Sequence, residues 1–110
     1  MTTPRDIDEL LSRLRAFSDA RDWDQFHTPK NLAMALSGEV GELIALFQWL
    51  TPAESAAIMS DDSTAPDVRD EIADVFIYLV RLADVLGIDL LDAAHQKMLR
   101  NETRFPPSTL

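Results

Sequence analysis

Glu39 and Glu42 stand three residues apart, and Glu71 and Asp74 repeat that spacing further along. These are the residues whose type and placement could do chemistry. Each spacing sets two carboxylates side by side on one face of a helix. Between Asn31 and Leu50 no other residue is charged; Ser37, Gly38, Gly41, Ala45 and Gln48 occupy the rest of that helix. A helix without a charged outer face is usually buried on every side, and like charges inside it call for a cation. If the two segments pack antiparallel, all four acids converge on one small volume. Two carboxylates about 4 Å apart repel by roughly 4 kcal/mol at an effective dielectric of about 20, so four stay ionised together only around divalent metal. Hard oxygen ligands select Mg²⁺, with Mn²⁺ as a substitute.

The elements that must hold these acids read as helices. Leu32, Leu36, Val40, Leu43, Ile44, Phe47 and Leu50 fall on one arc of a helix running from Asn31 to Leu50. Val68, Ile72, Val75, Leu79, Leu82 and Leu86 do the same between Pro66 and Leu86, with Tyr78 one turn past Asp74 on the acid side. Thr3-Pro4, Thr28-Pro29 and Thr51-Pro52 are three helix starts, each a capping residue followed by Pro at the first helical position. The first opens a helix carrying Ile7, Leu10, Leu11, Leu14 and Phe17. The third, with Glu54 completing a capping box, predicts a short helix from Pro52 to Met59. Ser60–Pro66 is a loop. Gly87 stops the helix that began at Pro66, and Asp89 caps a last one, ended by Pro106-Pro107. No segment reads as a strand. The expected fold is all-α, a four-helix-bundle-like subunit of four main helices and one short one, a single domain over residues 1–110.

The last helix aligns Lys97, Asn101 and Arg104 in one polar stripe. Lys and Arg suit phosphate oxygens, and an Asn amide suits a base edge or a sugar hydroxyl; the same stripe also suits a solvated face. Trp49, on the acid side of its helix, could stack on a nucleobase, while Trp23, Phe26 and Trp49 fit a core equally well. His27 reads as a loop residue with a hydrogen-bond partner. Asp92 and His95 form a single Asp-x-x-His, where a di-iron bundle needs two copies of Glu-x-x-His.

With 110 residues, 46% of them hydrophobic, the chain can gain core by self-association. It has no cysteine, so neither a disulfide framework nor a thiolate metal site is open to it, and a reducing cytoplasm fits. The opening MTTPRDIDELL is polar and acidic, unlike a signal peptide, and no apolar run reaches membrane-spanning length. A formal net charge of -9 argues against binding a nucleic-acid polymer, although metal-bridged polyphosphate remains open to an acidic protein.

Three segments, RDWDQFHTPKNLAMALSGEVGELIALFQW, DEIADVFIYLVRLADVLGIDL and KMLRNETRFP, resemble the all-α nucleotide pyrophosphohydrolases of the MazG-like superfamily, and within it the dCTP pyrophosphatase group most closely. The likeness runs from about Arg21 to Pro107 and is poorest before Arg21 and across Ser60–Asp67. It implies Mg²⁺-dependent hydrolysis of a (deoxy)nucleoside triphosphate to monophosphate and pyrophosphate, with dCTP or a modified cytosine nucleotide as substrate and nucleotide-pool house-cleaning as the role. An all-α dUTPase-like or broad-specificity activity is the enzyme alternative. A non-catalytic, metal-binding helical assembly is the alternative of another class. The resemblance also implies a homotetramer. By position, it assigns Glu39, Glu42, Glu71 and Asp74 to metal; Trp23, Trp49 and Tyr78 to the nucleoside; and Lys97, Asn101 and Arg104 to polar substrate contacts. Glu42, with Glu39 as the alternative, is the acid expected to orient or deprotonate the attacking water.

Overall fold

The structure, a computed structural model, describes residues 2–108. Helix α1 spans Ile7–Ala20, and a 3-10 turn, Asp24–Phe26, leads into α2, Pro29–Phe47. Helix α3, Pro52–Ala56, is followed by a second 3-10 turn, Ile58–Ser60; then come α4, Ala65–Val85, and α5, Leu90–Arg104. Among the described residues there is no strand, as the sequence predicts.

Local chemistry sets most of the boundaries. The Thr28 side chain accepts from the Asn31 N–H at 3.2 Å, with Pro29 behind it. The Thr51–Glu54 capping box is complete: the Thr51 N–H donates to Glu54 Oε1 at 2.8 Å, and the Glu54 N–H donates to Thr51 Oγ1 at 3.2 Å. Asp89 caps α5 by accepting from the Asp92 N–H. Gly87, at φ 71, supplies the left-handed residue that ends α4, so that the Ile88 N–H reaches the Ala83 carbonyl at 2.8 Å.

Three boundaries differ from the sequence reading. Helix α1 starts at Ile7 rather than at Thr3-Pro4, because Asp6 is the cap: its carboxylate accepts from the Glu9 N–H, while Glu9 reaches back to the Arg5 N–H. Helix α2 ends at Phe47, short of Leu50. Trp49 therefore lies in the turn beyond it, and the helical phase that aligned it with Glu42 does not extend that far. The short helix tightens into its 3-10 turn after Ala56 instead of running on to Met59.

The principal packing is α2 against α4, with α1 laid on α4. The buried apolar residues are Leu32, Ile58, Ala65, Val68, Val80 and Ala83. This corrects the apolar arc drawn for α4. Ile72, Leu79 and Leu86 are exposed, and Val80 and Ala83, one position off that arc, meet the neighbouring helices instead. The cause is that α4 is apolar on more than one face, and one chain covers only one of them. The same holds on α2, where Met34 and Ile44 are 63% and 56% exposed although the sequence predicts burial all round. Helix α5 presents Leu91, Met98 and Leu99 to solvent. The chain exposes 8491 Å², whereas a compact chain of this size exposes about 6,100 Å². Its radius of gyration is 17.2 Å, against about 13 Å for a compact domain of the same length.

Candidate active site

Packing α2 on α4 brings Glu39, Glu42 and Glu71 together, with one carboxylate oxygen of each lying within 4.8 Å of the others. Glu39 and Glu71 are half-buried and Glu42 is exposed. Glu39 Oε2 and Glu71 Oε2 are closed off from solvent and accept no hydrogen bond. A buried carboxylate oxygen without a donor is costly. Burial, above all, raises the Glu39 carboxyl above its ordinary range; the close approach of the Glu71 carboxyl opposes the rise, and the carboxylates of Glu42 and Asp74 add to it. Glu71 is pushed up to about 7, first by burial and then by Glu39 and Glu42. No basic side chain contributes at either group. Three converging acids, two donorless oxygens and no neutralising Lys or Arg fit a hard divalent cation with oxygen ligands.

Asp74, expected as the fourth ligand, stands outside that tight group. It is close enough to raise Glu39 electrostatically, and it lines an adjoining cavity of about 160 Å³ together with Trp23, Tyr78, His27 and Arg81. Trp23 reaches the cavity through a backbone device. Asp22 adopts φ 59, a left-handed conformation that Asp tolerates better than most residues, and the Trp23 N–H turns back to the Ser18 carbonyl at 2.9 Å. The indole then meets the Phe17 ring edge-on, with centroids 5.4 Å apart. Trp23 and Tyr78 thus share this cavity with Asp74, while Glu39, Glu42 and Glu71 do not line it. At about 160 Å³ the cavity is smaller than a whole small-ligand site, which runs to about 300–1,000 Å³.

The other expected substrate contacts are elsewhere within the single chain. Trp49 is 87% exposed and lines neither this cavity nor the core. Lys97, Asn101 and Arg104 lie on α5, and no hydrogen bond or ion pair links them to the acids; the Arg104 guanidinium sits over the Phe105 ring. Asp92 and His95 are exposed on α5, away from the acid group.

Sequence reasoning missed Arg81. Glu71, Asp74, Tyr78 and Arg81 follow one another at steps of three, four and three residues, one continuous stripe of α4, and that spacing was its available signal. The Arg81 Nε–H donates to His27 Nδ1 at 3.2 Å, its Nη2 to Asp24 Oδ1 at 2.7 Å and its Nη1 to Asp84 Oδ2 at 3.0 Å. His27 is therefore the hydrogen-bonded loop residue the sequence suggests. Burial, followed by the Arg81 charge, lowers its pKa, with Asp24 opposing. Asp84 is also gripped from α1, where Arg15 Nε donates to Oδ2 at 3.0 Å, and this pairing holds its carboxyl below the ordinary range.

Fold and site together define an all-α chain, with α1 and α2 packed on α4 and with α5 outside that packing, that carries a carboxylate cluster suited to a hard cation beside an aromatic-walled cavity. The chain belongs to the MazG-like family, which its residues 34–108 match. It is 44% identical to dCTP pyrophosphatase 1 of Rattus norvegicus over 105 residues, covering 94% of this chain and 62% of that protein. The Homo sapiens dCTP pyrophosphatase 1 gives the same figures: 44% identity, 94% and 62% coverage. The chain spans about 62% of the length of these curated relatives. A solved structure of a pyrophosphatase from Archaeoglobus fulgidus is similar at a TM-score of 0.86 and 41% identity, with 97% of this chain and 98% of that one covered. These likenesses agree with the resemblance carried by the three sequence segments. No helix among the described residues is long and apolar enough to cross a membrane.

Proposed function

We propose that this chain is a Mg²⁺-dependent nucleoside triphosphate pyrophosphatase that converts dCTP, or a modified cytosine deoxynucleotide, to the monophosphate and pyrophosphate. The observation that carries the reading is the Glu39–Glu42–Glu71 convergence with its two donorless oxygens. The names of the relatives support the reaction and the substrate. Glu39, Glu42 and Glu71 would hold the metal, with Asp74 beside them, and Mn²⁺ could replace Mg²⁺. A divalent ion bound there supplies charge neutralisation at phosphate oxygens. Glu42 is the exposed member of the group, open to water, and takes the role of orienting the attacking water or accepting its proton. Trp23 and Tyr78 wall the cavity that receives the nucleoside.

Activity is tested by pyrophosphate release from a panel of canonical and modified triphosphates. Release from dCTP that requires Mg²⁺ and stops on chelation is the expected result. A metal retained through purification and dialysis against chelator, with no pyrophosphate from any triphosphate, would mean a structural ion instead.

The working unit is proposed to be a homo-oligomer, a tetramer, which would place Trp49, Lys97, Asn101 and Arg104 where substrate can meet them. The surplus exposed area, roughly 2,400 Å² beyond a compact chain, is more than one standard interface of about 800 Å² per partner requires. Ile44, Ile72, Leu91 and Phe105 supply its apolar character. Light scattering at micromolar concentration should give a multiple of the chain mass, and a monomer there refutes the assembly.

A further inference from the structure

Arg81 makes three directed contacts with a single guanidinium. Each of its three nitrogens serves a different side chain: His27 and Asp24, which flank the aromatic loop, and Asp84 on its own helix. The Arg81 side chain is only 12% exposed, and its bonds to His27 and Asp84 are partly buried, while Asp24 receives its bond at the surface. Asp84 is fixed in turn by Arg15 of α1. The loop from Trp23 to His27 is thereby latched to the helix that carries Glu71, Asp74 and Tyr78, one turn beyond Tyr78. Loop and helix both line the same cavity, the loop through Trp23 and His27 and the helix through Asp74 and Tyr78. His27 Nδ1, being an acceptor, leaves the imidazole proton on Nε2. The Trp23 and His27 rings stand 6.1 Å apart, so the latch on His27 also limits where the indole can settle.

We infer that Arg81 is a positioning residue for substrate: it sets the separation of the Trp23–His27 wall from the Asp74–Tyr78 wall, and so fixes the fit of the nucleoside without touching the acids. This inference rests on the pyrophosphatase reading of the same site. A planar fork serving three acceptors has no equivalent in a lysine ammonium, which offers one point charge on a flexible stem.

The test compares Arg81→Leu, Arg81→Lys and Asp24→Asn with the parent protein. Hydrolysis of dCTP is measured with Mg²⁺ varied, and the Trp23 indole N–H signal is followed by NMR after assignment with Trp23→Phe. Parent turnover with dCTP tests the functional reading by itself, and the indole signal reports the latch even if that reading fails. Arg81→Leu should raise KM about tenfold, with kcat changed less than about threefold, because uniform binding is lost and the chemistry is retained. The Mg²⁺ concentration for half activation should not move, the Trp23 signal should shift or broaden, and Arg81→Lys should not restore KM. Asp24→Asn should raise KM less, and should add nothing in the Arg81→Leu background, since both break one latch. Parental KM and an unmoved Trp23 signal in folded Arg81→Leu would overturn the inference. So would KM restored by Arg81→Lys. Should Arg81→Leu fail to fold, parental KM and Trp23 signal in Asp24→Asn would overturn it equally.

Discussion

Glu39→Gln is expected to lower Mg²⁺-dependent pyrophosphate release by at least about 10²–10³-fold, the scale on which losing one element of transition-state charge stabilisation is felt. The substitution keeps the shape of the side chain and removes one charge from a group whose three acids lie within 4.8 Å of each other. Its effect on stability should have the opposite sign. Without metal, Glu39 Oε2 and Glu71 Oε2 are buried acceptors facing no donor, and a Gln amide both relieves the repulsion and brings N–H groups to the cluster. Metal-free Glu39→Gln should therefore melt no lower than the parent, and the rise in Tm on adding Mg²⁺ should shrink. Calorimetry with and without Mg²⁺, alongside the pyrophosphate assay, reads all three signs. Parental activity with a parental Mg²⁺ response would remove this cluster from the proposed mechanism.

The same group should make stability depend on pH in an unusual direction. Glu71 titrates near 7 in the folded chain and near the ordinary 4.5 when unfolded, with burial as the leading cause. Between those two values the folded state holds more protons, so the stabilisation is full below about 4.5 and is lost as pH rises through about 7. Glu39 is shifted the same way. The Tm of the metal-free protein should therefore decline from weakly acidic to weakly alkaline solution, and Glu71→Gln should flatten the decline. His27, with its lowered pKa, acts in the reverse sense: its unfolded form binds the extra proton below about 6.5, and stability there rises with pH. Bound Mg²⁺ needs ionised ligands, so the Mg²⁺-induced rise in Tm should be greater at about pH 8 than at about pH 6. A metal-free Tm that climbs steadily through neutral pH would contradict the protonated-acid picture.

Legibility in the sequence followed the range of the interactions. Thr28, Thr51 and Asp89 cap helices through bonds to residues three positions on, and Gly87 ends α4 through bonds to its own last turn, so these boundaries could be read locally. The approach of Glu39, Glu42 and Glu71 was legible because these acids sit at helical spacing on apolar helices that pack together, while the place of Asp74 outside the group depends on the packing of α2 on α4, which the spacing does not give. Trp49 was misplaced in phase because nothing in the hydrophobic pattern marks the end of α2 at Phe47. The covered face of α4 could not be chosen from a pattern that is apolar on several sides; Val80 rather than Leu79 is buried because of where α1 and α2 lie. The Arg81 contacts reach residues 54 and 57 positions away, beyond any local rule.

The left-handed Asp22 bears on the order in which the site is built. Its turn closes through bonds from Arg21, Asp22 and Trp23 back to Ser18 and Asp19, all within one short stretch of chain. Such contacts cost little loop-closure entropy and form early, whereas pairings across more than fifty residues must wait for the helices to meet. The Trp23 wall is thus bent toward its place by its own neighbours before α4 arrives. Docking of α4 then has only to fasten a loop whose turn is already closed by its own neighbours, which lowers the entropic cost of bringing the aromatic wall to the acid-bearing helix.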